Sequence, residues 1–276
     1  MLAYPVSQKP INWDEGKLFI QPKLDGTRCL IQYEDGEVTA YTRTGKVWKN
    51  VYHITETLKS FFKENPNVVL DGELYNHDLK DDFEKIISLV RKTKPTLDDK
   101  LESGRMVQFH CYDIVDHDKT FSERNRWLKL NLSESFCVKH VETLWVVSES
   151  KAKYFHQSNL GEGYEGSILR TDDVYQSKRT HSLRKFKDFS DAEATIVGYV
   201  EGIGKRTGTL GKFLMKDDDG IEFGCPPGKG YSYKDLADIL ANIDDYIGKR
   251  ATFTFFERTK ANSYRHPLYK CIRDYE

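Results

Sequence analysis

The stretch Lys23-Leu24-Asp25-Gly26-Thr27-Arg28 decides the fold assignment of this chain. Apolar and polar residues alternate around it from Lys17 to Thr42, and a turn at Glu34-Asp35-Gly36 separates the last two runs. Alternation with a period of two predicts adjacent antiparallel strands. A lysine between two strands is most often a solvated surface residue. The stretch therefore gains meaning only from the motifs that follow it.

Four further motifs follow this lysine in order. They are Asp71-Gly72-Glu73, Phe109-His110-Cys111-Tyr112-Asp113, Glu165-Gly166-Ser167-Ile168 and Arg184-Lys185-Phe186-Lys187. The first follows a short buried strand, the second ends a strand and the third enters one. Apolar residues at helical spacing predict helices over Val51–Asn65 and Asp82–Arg91. Strands and helices mix without a regular βαβ rhythm, which predicts an α+β fold.

The character of the chain changes near Phe189. Beyond it, glycines separate short apolar runs, and one helix is predicted over Lys234–Asn242. The predicted strands are Ala194–Val200, Lys212–Met215, Glu222–Gly224 and Ala251–Glu257. Short strands with a single helix are typical of a small OB-fold barrel. We place the boundary within Lys187–Asp191, which gives domains of residues 1–188 and 189–276.

Composition sets broad limits on the function. The chain has 276 residues, enough for one large domain or two modest ones, and a net charge of −1. This charge does not favour a large nucleic-acid footprint, although phosphate contacts need only a local positive face. The five cysteines form no CxxC pair, which indicates free thiols in a reducing compartment. The absence of a signal peptide or long apolar span predicts a cytoplasmic protein without membrane contact.

The order and spacing of the five motifs resemble the covalent nucleotidyltransferase superfamily, which comprises DNA ligases, RNA ligases and mRNA capping enzymes. The chain is most similar to small ATP-dependent DNA ligases, from about Gln21 to Arg273. The resemblance implies a nucleotidyltransferase domain of antiparallel sheets with flanking helices, followed by an OB-fold domain. It also implies a monomeric enzyme that seals nicks in double-stranded DNA, with ATP as the AMP donor and Mg²⁺ or Mn²⁺ as the metal.

The resemblance gives the motif residues their roles. Lys23 would attack the α-phosphate of ATP and hold AMP as a phosphoramidate, which requires a neutral amine. Arg28 would contact the ribose or a phosphate, Glu73 would accept a hydrogen bond from a ribose hydroxyl, and Tyr112 would stack on adenine. Glu165, together with Glu73, would hold the divalent metal. Mg²⁺ suits such a site because few carboxylates and several phosphate oxygens hold it.

Basic residues would surround the phosphates. Lys185 and Lys187 lie two residues apart on one side of a strand, so both would point at one anion and neutralise the triphosphate. Arg265 and Arg273 resemble the last ligase motif, whose arginines orient the pyrophosphate during lysine adenylation. Gln21 stands where many DNA ligases have a glutamate that reads the adenine amino group. Its carbonyl could accept that hydrogen bond, and its amide could also turn to accept guanine, so the choice of nucleotide stays open.

A second set of basic residues is expected to contact DNA. One member lies in Tyr41-Thr42-Arg43-Thr44-Gly45-Lys46, which resembles the ligase segment that grips DNA beside the nick. Others lie in the glycine-rich turn over Glu201–Gly208, typical of ligase OB domains. The candidates are Arg43, Arg179, Lys205, Arg206 and Lys212. The inserted hairpin of some viral ligases and an N-terminal DNA-binding domain are both expected to be missing.

Two alternatives compete with DNA ligation. An RNA ligase or a capping-type guanylyltransferase would use the same chemistry at Lys23 on another substrate. The ligase-type turn and final motif argue against the first, and the segment around Arg43 argues against the second. A non-catalytic OB protein with a degenerate partner domain would lack its nucleophile or its metal carboxylate. Lys23, Glu73 and Glu165 are all present, which argues against that reading.

Overall fold

A computed structural model describes residues 1–6, 11–13, 17–80, 82–186, 190–228, 230–256, 258–259 and 262–273. The chain divides into two compact units, Met1–Lys187 and Asp188–Glu276. Both units combine helices with largely antiparallel sheet, so the prediction of an α+β fold is confirmed. Within these described ranges, no helix combines the length and the apolarity needed to cross a bilayer.

Two five-stranded sheets build the first unit. Their strands are β1 (Leu2–Pro5), β2 (Leu18–Pro22), β3 (Thr27–Glu34), β4 (Glu37–Thr42), β5 (Val69–Tyr75), β6 (Gln108–Ile114), β7 (Val138–His140), β8 (Leu144–Val146), β9 (Ser167–Thr171) and β10 (Arg179–Phe186). Sheet I has the order β1-β10-β9-β2-β8, and sheet II has the order β4-β3-β5-β6-β7. The pairs β1–β10 and β6–β7 are parallel, and the other pairs are antiparallel.

Six α-helices are described in the first unit. They are α1 (Tyr52–Thr57), α2 (Lys59–Glu64), α3 (Phe83–Val90), α4 (Leu97–Met106), α5 (Phe121–Asn131) and α6 (Glu149–Gly161). The helical structure predicted over Val51–Asn65 is confirmed, but it consists of two short helices that meet at Leu58. Leu58 is buried in the core, and its backbone ends α1 and precedes α2. The apolar spacing continues through the break, so the sequence pattern does not reveal it.

The apolar pattern did not predict α4, α5 or α6. Polar side chains mark where they begin. Thr96 and Thr120 form capping boxes with the acidic residues three positions later, and the Ser148 side chain accepts from the N–H of Lys151. Such caps satisfy N–H groups that have no partner inside the helix. The signal for these helices therefore lies in their first turn.

The largest apolar cluster of the first unit packs against one face of sheet II. Cys29, Ile31, Leu70 and Leu74 of β3 and β5 belong to it and are fully buried. Because side chains alternate along a strand, the residues between them point to the opposite face. That face carries the polar residues of the motifs, and this alternation positions the site.

Over its described residues, the second unit consists of a five-stranded sheet and one α-helix. Its elements are β11 (Ser190–Glu201), β12 (Leu210–Lys216), β13 (Glu222–Cys225), α7 (Tyr233–Ala241), β14 (Arg250–Phe255) and β15 (Leu268–Ile272). The strand order is β13-β12-β11-β14-β15. Tyr269 hydrogen-bonds with Pro226 and Gly228, so backbone bonds connect the two outer strands. This connection closes the sheet into a small barrel.

Candidate active site

Lys23 follows β2 directly and lies against the loop before β9. Its N–H donates to the carbonyl oxygen of Gly166 at 2.9 Å, and its carbonyl oxygen accepts from the N–H of Glu165 at 3.1 Å. Its Nζ forms an ion pair with the carboxylate of Glu165. The lysine side chain is 23% exposed and the glutamate side chain 8%. The fold thus brings the predicted nucleophile into contact with the predicted metal carboxylate.

Gly26 allows the loop after Lys23 to lie against β5. A Cβ atom at position 26 would collide with the carbonyl oxygen of Leu74 and with Cγ of Glu73. Glycine avoids both collisions because it has no side chain. The close approach places Glu73 beside the loop that carries Lys23.

The carboxyl group of Glu73 has a perturbed pKa. Burial raises this pKa from its usual 4.5 to about 8, and the negative charges of Asp71 and Glu165 add to the rise. The positive charges of Lys23 and Arg28 oppose it. Carboxyl groups crowded in this way are typical of functional sites, because a bound cation relieves their repulsion.

The acidic pair Glu165 and Glu73 fits a divalent cation. Among the described residues, no three His, Cys, Asp or Glu side chains come together as a complete metal site. Mg²⁺ is usually held by one or two carboxylates and by substrate phosphates, and it keeps several waters. Two mutually repelling carboxylates beside Lys23 match that requirement, provided that phosphate oxygens complete the coordination.

Arg28 on β3 is held by a buried carboxylate that the sequence analysis did not assign. Its Nε and Nη2 donate to the two oxygens of Asp71, each at 2.9 Å. Nη2 also donates to the hydroxyl of Tyr175 at 2.9 Å, and Nη1 donates to the carbonyl oxygen of Met1 at 3.1 Å. Although burial opposes it, the charge of Asp71 raises the pKa of the Arg28 guanidinium. Arg28 is therefore a fixed cation of the site.

Tyr112 is half-buried on β6, where the pairing with β5 shifts its register. Its ring centroid lies 5.4 Å from the guanidinium carbon of Arg170. Burial raises the pKa of its hydroxyl, and the charges of Asp71 and Glu73 add to that rise. The predicted stacking residue thus lies on the strand next to Glu73.

A buried ionic network lies behind Tyr112. Asp113 accepts from Nε and Nη2 of Arg124 at 2.7 and 3.1 Å, and from Nη1 of Arg170 at 2.7 Å. Nε of Arg170 donates to Oε1 of Gln21 at 2.7 Å. These four side chains connect β2, β6, β9 and α5. Neither Arg124 nor Arg170 has a role that is visible in the sequence, because their neighbours depend on α5 and on the pairing of β9 with β2.

The basic residues at the end of the first unit have different surroundings. Lys185 is half-buried on β10, opposite Ile168 of β9. Lys187 lies outside the described residues. Arg179 is exposed, and its Nη1 donates to the carbonyl oxygen of Ala3 at 2.6 Å. The Arg179 side chain therefore also fastens β1 to β10.

Arg43 is exposed at the tip of a tight turn that follows β4. The Thr42 N–H donates to the carbonyl oxygen of Lys46 at 2.7 Å, and the Thr42 hydroxyl oxygen accepts from two N–H groups of the turn. Gly45 adopts a φ of +79°, which favours glycine. These bonds fix the turn and present the arginine to solvent.

The two arginines of the last motif lie in the second unit. Arg265 is half-buried, with its guanidinium carbon 5.9 Å from the ring centroid of Phe256. Arg273 is exposed and forms an ion pair with Glu193 of β11.

The remaining DNA candidates also lie in the second unit. Lys205 and Arg206 are exposed in a single 3₁₀ turn after β11, and Lys212 is exposed on β12. A Cβ atom at Gly202 would collide with the carbonyl oxygen of Arg206, so glycine makes this turn possible. The turn and the neighbouring strand together present three positive charges to solvent.

Comparisons with known proteins agree with this architecture. A family model described as the ATP dependent DNA ligase domain matches residues 1–187, and one described as the DNA ligase OB-like domain matches residues 201–273. A solved structure entitled "DNA binding with a minimal scaffold: Structure-function analysis of Lig E DNA ligases" has a TM-score of 0.80 at 25% identity. The alignment covers 99% of this chain and 98% of that chain.

Two curated relatives carry the name DNA ligase. That of African swine fever virus (isolate Pig/Kenya/KEN-50/1950) is 27% identical over 214 residues, which cover 73% of this chain and 48% of the relative. That of Thermococcus fumicolans is 26% identical over 250 residues, which cover 84% of this chain and 44% of the relative. The chain therefore spans about half the length of the curated relatives it matches.

Fold, site and comparisons together define the class of protein. A nucleotidyltransferase domain that pairs a lysine with a carboxylate, followed by an OB-like domain, is the architecture of a covalent nucleotidyltransferase. Within that class, the chain belongs to the ATP-dependent DNA ligase family, because the family model matches residues 1–187 of 276. The resemblance found in the sequence is thereby confirmed.

Proposed function

We propose that this chain is an ATP-dependent DNA ligase that seals nicks in duplex DNA through AMP linked covalently to Lys23. The observation that carries the proposal is the ion pair between Lys23 and Glu165 beside the raised-pKa carboxyl of Glu73. This arrangement supplies a nucleophilic amine, an acceptor for its proton and an acidic pair for a cation. All three residues lie within residues 1–187, the range that the family model of the ATP dependent DNA ligase domain matches, which supports the proposal.

The first step forms the covalent intermediate. Nζ of Lys23 gives up a proton toward the Glu165 carboxylate that it contacts and then attacks the α-phosphorus of ATP. A P–N bond forms, and the P–O bond to pyrophosphate breaks. Arg28, fixed by Asp71, would hold a phosphate or the ribose, and Lys185 and Lys187 would offset the charge of the triphosphate.

The next two steps transfer AMP and seal the strand. An oxygen of the 5′-phosphate at the nick attacks the adenylate phosphorus, and Lys23 leaves as the amine. The 3′-hydroxyl then attacks the activated 5′-phosphate, a phosphodiester forms, and AMP leaves. Positioning and charge neutralisation dominate such phosphoryl transfers. Mg²⁺ or Mn²⁺, held by Glu165 and Glu73 together with phosphate oxygens, would supply positive charge at the phosphates.

Contacts to DNA should be made mainly to phosphate and sugar. We assign them to the exposed Arg43, Lys205, Arg206 and Lys212, and to Arg179, and we propose that the protein acts as a monomer. Phosphate contacts carry no sequence information, so binding should be insensitive to sequence and should weaken as salt rises.

A labelling experiment tests the proposal. The purified chain is incubated with α-labelled ATP and Mg²⁺ and then chased with singly nicked DNA or with nicked RNA. Lys23→Ala should abolish the protein-bound label. The control Lys17→Ala should keep it, because Lys17 lies next to the other end of β2 and its side chain is 62% exposed. Label retained in Lys23→Ala refutes the assignment, and a chase by RNA alone makes the chain an RNA ligase.

The role of Arg265 has a separate test. If Arg265 orients the pyrophosphate, Arg265→Ala should slow self-adenylation more than it slows the sealing of a nick that already carries AMP. Equal slowing of both reactions would exclude this role.

A further inference from the structure

The side-chain amide of Gln21 is buried, and its hydrogen bonds fix its orientation. Its oxygen Oε1 accepts from Nε of Arg170 at 2.7 Å. Its nitrogen Nε2 donates to the hydroxyl oxygen of Thr143 at 2.8 Å and to the carbonyl oxygen of Tyr112 at 3.3 Å. Gln21 is only 2% exposed, so solvent does not replace these partners.

Exchanging the oxygen and nitrogen of this amide would break hydrogen bonds at both of its ends. A guanidinium has donors only, and a backbone carbonyl oxygen accepts only. The Thr143 hydroxyl donates its single hydrogen to the carbonyl oxygen of Val141 at 3.2 Å, so it offers a lone pair to Gln21. A reversed amide would set N–H groups against the donors of Arg170 and an oxygen against the carbonyl oxygen of Tyr112, and the Thr143 hydroxyl would have to leave Val141 to donate to that oxygen. The hydrogen bonds to Arg170 and Tyr112 would be lost.

Arg170 itself is held in place. Its Nη1 donates to Asp113 at 2.7 Å, and Asp113 is held from the other side by Arg124. Its guanidinium carbon also lies 4.6 Å from the ring centroid of Phe121. The Arg170 side chain is 5% exposed. The donor that faces Oε1 of Gln21 is therefore fixed by a buried charge and by an aromatic ring.

These bonds leave the Gln21 side chain able to form only one further kind of hydrogen bond. Both hydrogens of Nε2 and one lone pair of Oε1 are used, so the second lone pair of Oε1 can only accept. Gln21 lies two residues before Lys23 and donates to the backbone carbonyl oxygen of Tyr112, the residue expected to stack on the base. Adenine carries an amino donor at C6, whereas guanine carries an oxygen acceptor there.

We propose that Arg170 sets the purine specificity of this site by holding the Gln21 amide with its oxygen toward the base. Adenine then donates its amino group to Oε1, and guanine is rejected because two oxygens would face each other. The inference rests on the proposed function, since it requires a nucleotide beside Lys23. Arg170 is a positioning residue that acts through Gln21.

The test measures self-adenylation with α-labelled ATP, GTP and ITP. Inosine carries the C6 oxygen and the N1–H of guanine without its 2-amino group, so ITP separates the C6–N1 edge of the base from the 2-amino group. The wild type should label with ATP in strong preference to ITP. Arg170→Met removes the donors that fix the amide, which then turns to meet an acceptor. The ATP-to-ITP ratio should fall about tenfold or more, the size of effect that one matched hydrogen bond supports.

A matched control separates an effect on Gln21 from a general effect of the substitution. Arg126→Met makes the same change at an exposed position of α5, so the ATP-to-ITP ratio should stay at the wild-type value. Thr143→Val acts at the opposite end of the amide, on a half-buried side chain, and should lower the ratio as well.

Each outcome decides a different point. If Arg170→Met slows labelling by ATP and ITP by the same factor, its role is structural and the inference is overturned. If that variant does not fold, an unchanged ratio in Thr143→Val overturns it. A wild type that labels equally with ATP and ITP refutes the inference but leaves the proposed function intact. A wild type that no nucleotide labels refutes the proposed function itself.

Discussion

Replacing Glu73 with glutamine tests whether the ligand-free site keeps a proton. Burial raises the pKa of Glu73 from 4.5 to about 8, with Asp71 and Glu165 adding to the rise and Lys23 opposing it. Between these two values the folded chain holds a proton that the unfolded chain has released. The stabilising contribution of the protonated group is complete below about 4.5 and is lost as the pH rises to about 8.

The magnitude follows from that interval. At ~1.36 kcal/mol per pH unit, the change from 4.5 to about 8 corresponds to roughly 5 kcal/mol as an upper limit. Glu73 keeps some solvent contact, so screening reduces the effect, and we expect about 2 kcal/mol. Glutamine has nearly the same shape and carries no charge. As the pH rises from about 5 to about 9, the unfolding free energy of Glu73→Gln should therefore increase by about 2 kcal/mol relative to that of the wild type.

Urea unfolding without nucleotide, at both pH values, measures this difference. Glu142→Gln, at an exposed position of the same unit, is the matched control and should follow the wild type. Parallel pH profiles for the wild type and Glu73→Gln would show that the carboxyl is already ionised at neutral pH. The argument for an acidic pair strained by mutual repulsion would then fail.

Three further predictions concern packing and DNA binding. Asp113→Asn removes the charge that two buried guanidinium groups share, so its unfolding free energy in urea should fall by ~3 kcal/mol or more. The exposed control Asp118→Asn should change little, and equal losses in the two variants would contradict the network. Gly26→Ala should reduce covalent AMP labelling at least about tenfold, because the added Cβ atom collides with a carbonyl oxygen of β5. The control Gly161→Ala should label normally, because a Cβ atom at that position has no neighbouring atom within 4 Å. Arg43→Ala should weaken binding to nicked DNA and lower the slope of log K against log salt by about one, and an unchanged slope would remove Arg43 from the phosphate contacts.

Sequence motifs predicted the polar residues of the site, but the position of one motif was wrong. Asp71-Gly72-Glu73 was expected to follow a short strand and instead lies inside β5, because that strand continues to Tyr75. Glu73 and Glu165 each adjoin a glycine, Lys23 precedes Gly26 by three residues, and all three lie in or next to strands. Glycine is needed at position 26 for a steric reason, but the sequence shows this residue only as part of a motif. The collision it avoids involves β5, which lies far along the sequence.

Helices were predicted less well than strands. The paired helices α1 and α2 share one apolar pattern, so periodicity could not place the break at Leu58. The helices α4 and α5 begin at capping boxes, a signal of hydrogen bonding that a search for apolar periodicity does not detect. Secondary structure follows from more than one kind of interaction, and the pattern of burial reports only one of them.

The orientation of Gln21 was beyond the sequence. An amide side chain presents a donor or an acceptor according to its neighbours, and both readings stayed open for that reason. The neighbours that decide, Arg170 and Thr143, lie more than a hundred residues away in the chain.

The sequence by itself determined the family and the α+β class, and it predicted the reactive residues, because chemical groups at characteristic spacings are properties of the chain. Only the tertiary structure decided which charges meet. Asp71 with Arg28, Asp113 with Arg124 and Arg170, and Lys23 with Glu165 are pairs made by strand pairing and by packing between sheets. Electrostatic energy depends on distance in space and on burial, and neither is written in the order of residues.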